Sequence, residues 1–262
     1  MCGLRPFKPT LGRGEVKKGW LSLVMLAIVG LLIIPLVAGC GGTTTTTAAA
    51  TSTTAAAEEV GPTGANAEAA DKAIAAVKRS EGIETPKTII AGKLQGGSDT
   101  AFPPFEYADG KGGYIGFDID MMTALCKKMG LELVVVPTAW DGIIPALVSD
   151  RFDIIMSAMS ITPERLEQIN FSDPYYRNDL AITTPVDKPI KDAEGLKGKV
   201  VGVQVDTTGQ FAVEKIEGVK QIKKYENIIQ ALQDLQTGRT EAVVNDEPSN
   251  AYQIRNLSLI HI

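Results

Sequence analysis

Three observations predict an α/β fold of two lobes for this chain. Runs of β-branched and apolar residues alternate with segments whose apolar residues recur every three or four positions, the pattern of mostly parallel strands joined by helices. One such unit has an echo. Ile143-Ile144-Pro145-Ala146-Leu147 leads to Arg151 and a strand, and Ile228-Ile229-Gln230-Ala231-Leu232 leads to Arg239 and a strand, with gaps that differ by three residues. An extended segment at residues 179–185 lies between the two halves and reads as a hinge strand.

The elements follow in order. Residues 88–94 read as a strand, and the glycine-rich stretch from Gly110 to Gly113 reads as a hairpin turn. Ile119, Met122, Cys126 and Met129 form one face of a helix. Residues 131–136 are a continuous β-branched run, as in a buried strand. Residues 141–149 are a short helix and 154–157 a strand. Pro163 suits the first turn of a further helix, with Thr162 as its cap. The second half repeats the theme with strands at 200–205, 221–225 and 242–245 and helices at 207–216 and 227–237. Ile228, Ile229, Leu232 and Leu235 are the expected buried stripe of the last helix. Lobe 1 is expected over 86–182 and lobe 2 over 183–256.

The front of the chain is of another kind. Arg5, Lys8, Arg13, Lys17 and Lys18 precede an apolar run at residues 20–37, and Val37-Ala38-Gly39-Cys40 then sets small residues before a cysteine. This is the pattern of a secretion signal with a lipoprotein cleavage box, in which the Cys40 thiol takes a diacylglyceryl group. The run also approaches the length of a membrane span, but Pro35 and the small-small-Cys box favour cleavage after residue 39. Residues 1–39 hold five of the 26 basic and one of the 31 acidic residues, so the remainder carries 21 basic and 30 acidic residues, a net charge of −9. That balance disfavours nucleic acid or an anionic membrane surface as a partner. Cys126 is then the one cysteine left for packing, and no internal disulfide can form. Residues 40–65, rich in Thr, Ala and Gly, read as a flexible tether, and 66–85 as a possible short helix over 68–79.

Leu257-Ser258-Leu259-Ile260-His261-Ile262 follows no earlier pattern. These residues match the in-frame translation of a DNA end used in transposase-based sequencing libraries, CTGTCTCTTATACACATC. They are expected to be adapter-derived, and no role is assigned to His261.

Two motifs carry more. Gly116-Phe117-Asp118-Ile119-Asp120-Met121, continued by Leu125, Cys126 and Met129, resembles the signature of family 3 extracellular solute-binding proteins, the amino-acid receptors of ABC importers. Ser160-Ile161-Thr162-Pro163-Glu164-Arg165 resembles the turn of that family whose arginine holds the α-carboxylate of the substrate. The resemblance covers residues 86–256. It implies a periplasmic-binding-protein-like fold of type II that closes on its ligand by flytrap motion. It also implies a free amino acid and an ABC permease as partners, a monomer, membrane attachment only through the lipid on Cys40, and no cofactor. Family members continue beyond this point, back into the first lobe, so the C-terminal part of lobe 1 is expected to be missing.

A free amino acid is a zwitterion, and its two charges must be paired when they leave water. By the resemblance, Arg165 is the carboxylate clamp, a role that an arginine fork suits. Asp246 takes the ammonium, with capping of the following helix as its ordinary alternative. Ser160 and Thr207 match hydroxyls near the two ligand charges, although each could cap a helix instead. Asp206 stands where the family usually has glycine. Ser157 and Met159 lie where backbone carbonyls meet the ammonium, and Ala158 replaces a second serine. Phe102 and Trp140 resemble the aromatic walls around the ligand side chain, and Asp99 faces its far end, a set that suits a polar or cationic side chain.

Two rivals remain. Relatives on this fold act as cyclohexadienyl dehydratases, which need a general acid; Asp99 and Glu106 are the candidates. A sensor domain would need a second membrane segment after the lobes. The sequence has no metal-ligand spacing of Cys or His, no Ser-His-Asp set and no phosphate-binding glycine loop.

Overall fold

The computed structural model describes residues 64–256 and 259–261. The expected signal segment 1–39, the lipidation site Cys40 and the tether as far as residue 63 lie outside the described residues. None of the described helices is long and apolar enough to cross a membrane.

The described chain opens with helix α1 (Gly64–Ala76), which starts inside the expected tether and ends before residue 79. It is followed by β1 (Lys93–Ser98), β2 (Ala101–Phe102), β3 (Glu106–Ala108), β4 (Tyr114–Ile115), α2 (Phe117–Met129), β5 (Glu132–Pro137), α3 (Trp140–Val148), β6 (Ile154–Ile155) and α4 (Pro163–Leu166). The α1 segment docks on α2: Lys127 Nζ donates to the Ile74 carbonyl at 2.8 Å and Ser80 N to Lys128 O at 3.0 Å.

The first sheet has the order β5-β1-β6, all parallel. Its central strand lies at 93–98, not at the expected 88–94. Gly96 and Gly97 are both strand residues. A Cβ on Gly96 would overlap Met122 of α2, and one on Gly97 would overlap the Phe152 ring. Glycine lets a helix and a buried ring approach the strand closely. The β-branched stretch before it is surface loop, with Ile89 and Ile90 exposed.

Between β1 and α2 lies an antiparallel hairpin, β2-β3-β4, whose turn is held by Asp109. Asp109 Oδ1 accepts from Lys111 N at 2.7 Å and from Gly113 N at 2.8 Å, so the expected turn is present. Gly116 ends the hairpin at φ 127°, and a Cβ there would strike the Phe105 carbonyl. The close approach lets Phe117 N donate to Pro104 O at 3.0 Å and Asp118 N to Phe105 O at 2.9 Å. The Gly-Phe-Asp motif is thus a helix start welded to the hairpin, with Asp118 aimed inward and fully buried.

The second half contains β7 (Leu180–Pro185), β8 (Val200–Gln204), α5 (Thr208–Glu214), β9 (Gln221–Tyr225), α6 (Ile228–Gln236), β10 (Ala242–Asp246), α7 (Glu247–Gln253) and β11 (Leu259–His261). Its sheet has the order β11-β7-β10-β8-β9; β8, β9 and β10 are parallel, while β7 and β11 run antiparallel to their neighbours. The expected boundary at 182/183 falls inside β7, which pairs along residues 180–183 with β10 and belongs whole to this sheet. The backbone of 259–261 pairs with the outer edge of β7. On α6, Ile228, Ala231, Leu232 and Leu235 are buried, whereas Ile229 is exposed. The stripe runs i, i+3, i+4, i+7, and Ala231 occupies the place expected for Ile229. Cys126 packs with Leu94 and Leu131, and burial pushes its thiol up to about 11, as suits an inert core residue.

Candidate ligand-binding site

Strand ends and turns from both halves converge on one cleft. From the first half it is lined by Asp99, Phe102, Glu106, Trp140, Ser157, Ala158, Ser160 and Arg165, and from the second by Gln204, Thr207, Thr208, Asn245 and Asp246. Gln204 and Asp246 close β8 and β10, two parallel strands; the carboxyl ends of such strands are where open α/β sheets present ligand sites.

Arg165 is set by local sequence. Thr162 caps α4, its Oγ1 accepting from Arg165 N at 3.3 Å, and Pro163 occupies the first turn. Arg165 is 7% exposed. Its Nη1 donates to Ser160 O at 2.8 Å and its Nη2 to Asp206 O at 3.1 Å, and Cζ sits 5.1 Å from the centre of the Trp140 ring. Burial weakens its hold on the proton, and the Asp246, Asp206 and Glu164 carboxylates oppose that.

Trp140 does not stand as a bare wall: its Nε1 donates to Asp206 O at 3.0 Å and its face carries Arg165. One carbonyl of the second half, that of Asp206, therefore receives two donors from the first. Asp206 has φ 56°, the left-handed region, with its N–H donating to Gln210 Oε1 at 2.8 Å. Aspartate here adopts the backbone shape that glycine takes freely.

Asp246 is 8% exposed, and burial raises its carboxyl to about 6, against the pull of an Asn178 side-chain hydrogen bond and of Arg165. It makes no side-chain cap to α7. Thr207 does cap its helix: its Oγ1 accepts from Gln210 N at 3.2 Å and donates to Gln204 O at 2.8 Å. Ser160 lines the cleft and lends its carbonyl to Arg165.

Asp99 is buried, and its Oδ2 accepts from Gln204 Nε2 at 2.7 Å, a bond between the two halves. Burial raises its carboxyl, opposed by Gln204 and the Ala101 N–H; Glu226 and Asp141 add to the rise by repulsion. Phe102 lines the cleft and also packs in a core cluster with Phe105, Ile228, Leu232 and Val243.

Ser157 and Met159 are expected to act through their backbone carbonyls, and their side chains are engaged elsewhere. The Met159 side chain packs with Ile143, Ala146 and Phe152. Ser157 lines the cleft, but its hydroxyl is committed, donating to Glu106 Oε1 at 2.6 Å and accepting from Asp99 N at 2.9 Å. Sequence reasoning missed Gln204 and Asn245, which carry no signal beyond their position at strand ends.

The sequence model of the bacterial extracellular solute-binding proteins, family 3, matches residues 94–200. The chain is similar to the lysine/arginine/ornithine-binding periplasmic protein of Escherichia coli, 35% identical over 183 residues that span 67% of this chain and 70% of that protein. The chain belongs to this family.

It is also similar to ABC transporter arginine-binding protein 1 of Escherichia coli, 35% identical over 60% of this chain and 64% of the relative. Among solved structures, an ancestral arginine-binding protein bound to arginine superposes with a TM-score of 0.63 at 40% identity, over 65% of this chain and 78% of that one. The fold is accordingly periplasmic-binding-protein-like, of type II. The chain spans about three fifths of the length of several curated relatives, between 60% and 64%.

Proposed function

We propose that this protein is an extracytoplasmic receptor for a free amino acid with a polar or basic side chain, and that it serves an ABC importer. The observation that carries this reading is two buried opposite charges that line one cleft. Arg165 stands on one side and Asp246 on the other, each less than a tenth exposed and each biasing the charge of its partner. A zwitterion supplies the two charges such a pair requires. Its carboxylate takes the Arg165 fork beside Ser160 and the α5 cap at Thr207, and its ammonium takes Asp246.

The side chain extends past Phe102 toward Asp99. Asp99, Glu226 and Asp141 together make that end negative, which suits a cationic group. The relatives named for lysine, arginine and ornithine support the same class. Contacts from Gln204, Trp140 and Arg165 across the cleft describe the closed arm of a flytrap cycle, in which closure excludes water and strengthens both ion pairs. The Ser157 and Met159 carbonyls remain proposed partners of the ammonium. Anchoring through Cys40 would hold the receptor near its permease.

Calorimetric titration with arginine, its carboxamide and its Nα-acetyl derivative tests the reading. Arginine should bind and both blocked forms should fail. Equal binding of all three would show that the zwitterion is not what the cleft reads.

A further inference from the structure

At the floor of the cleft, which Glu106 itself lines, lies a second pair of charged groups that the ligand reading does not use. Glu106, from the hairpin, and Asp118, from the first turn of α2, are both fully buried and hold adjacent residues of one turn. Each has one oxygen already bonded. Glu106 Oε1 accepts from Ser157 Oγ at 2.6 Å, and Asp118 Oδ2 accepts from Ala158 N at 2.7 Å and from Tyr175 OH at 2.9 Å. The remaining oxygens, Glu106 Oε2 and Asp118 Oδ1, are buried and have no donor among the described residues. Two buried carboxylates that grip neighbouring residues of one turn repel, and an unpaired buried oxygen is costly. A single proton between the two oxygens removes both penalties. The described residues hold no cluster of three or more acidic, His or Cys side chains suited to a metal ion that could serve instead.

We propose that Glu106 and Asp118 share one proton, and that the resulting acid–carboxylate pair positions the Ser157–Ala158 turn that forms the floor of the ligand cleft. The proposal rests on the reading of this cleft as the ligand site. Glu106 carries the proton and donates to Asp118, which stays ionised and accepts three hydrogen bonds. The turn it grips is strained, with Ala158 at φ 46°, so a fixed acceptor for the Ala158 N–H is what keeps it in place. The groups that face the pair are Asp99, whose N–H is held by the same Ser157 hydroxyl, and Tyr175. Burial and the negative charges of Asp118 and Asp99 raise the Glu106 carboxyl well above its ordinary 4.5. Its contribution to stability is therefore full below 4.5 and is lost as pH rises through the raised value.

Amide substitutions test the shared proton. In Glu106→Gln the amide donates to Asp118 as the acid did, and in Asp118→Asn the amide donates to an ionised Glu106. Each single variant mimics the one-proton pair. The double variant sets two amide N–H₂ groups against each other.

The expected result is a double variant that melts below both singles and binds the amino acid about tenfold more weakly than either, the cost of one unsatisfied buried group. A double variant that melts at or above both singles would overturn the proposal. Wild type should also lose stability relative to Glu106→Gln as pH rises above 4.5, whereas parallel melting curves across pH would overturn it. Should the variants not fold, the infrared spectrum of wild type at the pH of the binding assay must still show a protonated carboxyl band, and its absence would sink the idea. If no amino acid binds, the ligand reading falls, while the melting and infrared results still decide the pair.

Discussion

The two walls of the cleft are built on different principles. The first-half wall is made of turns whose polar groups are already spoken for. Ser157 bonds Glu106 and Asp99, Ala158 N bonds Asp118, and Arg165 rests on Ser160 O and the Trp140 ring. The second-half wall is made of strand ends and a helix cap, with the Asp246 carboxyl raised to about 6 by burial. One side is organised before a ligand arrives, and the other gains most from its arrival. Preorganisation of one wall keeps the ordering cost of binding low. The high carboxyl on the other stores the electrostatic gain that an ammonium releases.

Breaking the preorganised wall should have the largest effect. Arg165→Ala removes a buried cation and leaves Asp246 uncompensated, so affinity for every amino acid should fall by about a hundredfold or more in calorimetry. Retained affinity would show that the clamp lies elsewhere.

Breaking the other wall comes next. Asp246→Asn keeps the shape and removes the charge, and should weaken binding about tenfold or more. Wild-type affinity should be full above pH about 6 and fall as Asp246 is protonated below it, while the variant should be flat across this range. The stability of the unliganded chain runs the opposite way. Asp246 contributes most below 3.8, and that contribution is lost as pH rises through about 6.

Asp99→Asn sharpens the comparison at the far end of the cleft. Binding should persist, but the preference for cationic over neutral side chains should shrink by about tenfold in a competition assay. An unchanged ranking would remove Asp99 from specificity. Asp206→Gly should have the smallest effect, a gain in stability of about 1 kcal/mol or less in chemical denaturation. It relieves a left-handed aspartate and keeps the carbonyl that holds Arg165 and Trp140.

The same contrast explains what could be read from sequence. Arg165 and Asp246 could be picked out because each stands in a stretch that resembles the family's motif, one after a capped Thr-Pro turn and one at the end of an apolar strand. Residues fixed by tertiary contact could not. The place of Gly96 and Gly97 inside β1 is explained only by Met122 and Phe152, which crowd the strand. Gln204 reaches Asp99 only because the two halves meet. The alternation of strands and helices was legible because each element buries one face. The boundary at 182/183 was not, because β7 pairs with a strand some sixty residues later in the chain.

The most direct test of the central claim is a thermal-shift screen of the purified protein against the twenty amino acids and ornithine. A ligand that binds only the folded state must raise its melting point. The expected result is a rise with one or a few amino acids, the basic ones first, that disappears in Arg165→Ala. No rise with any of them would contradict the account of a cleft built to pair a zwitterion.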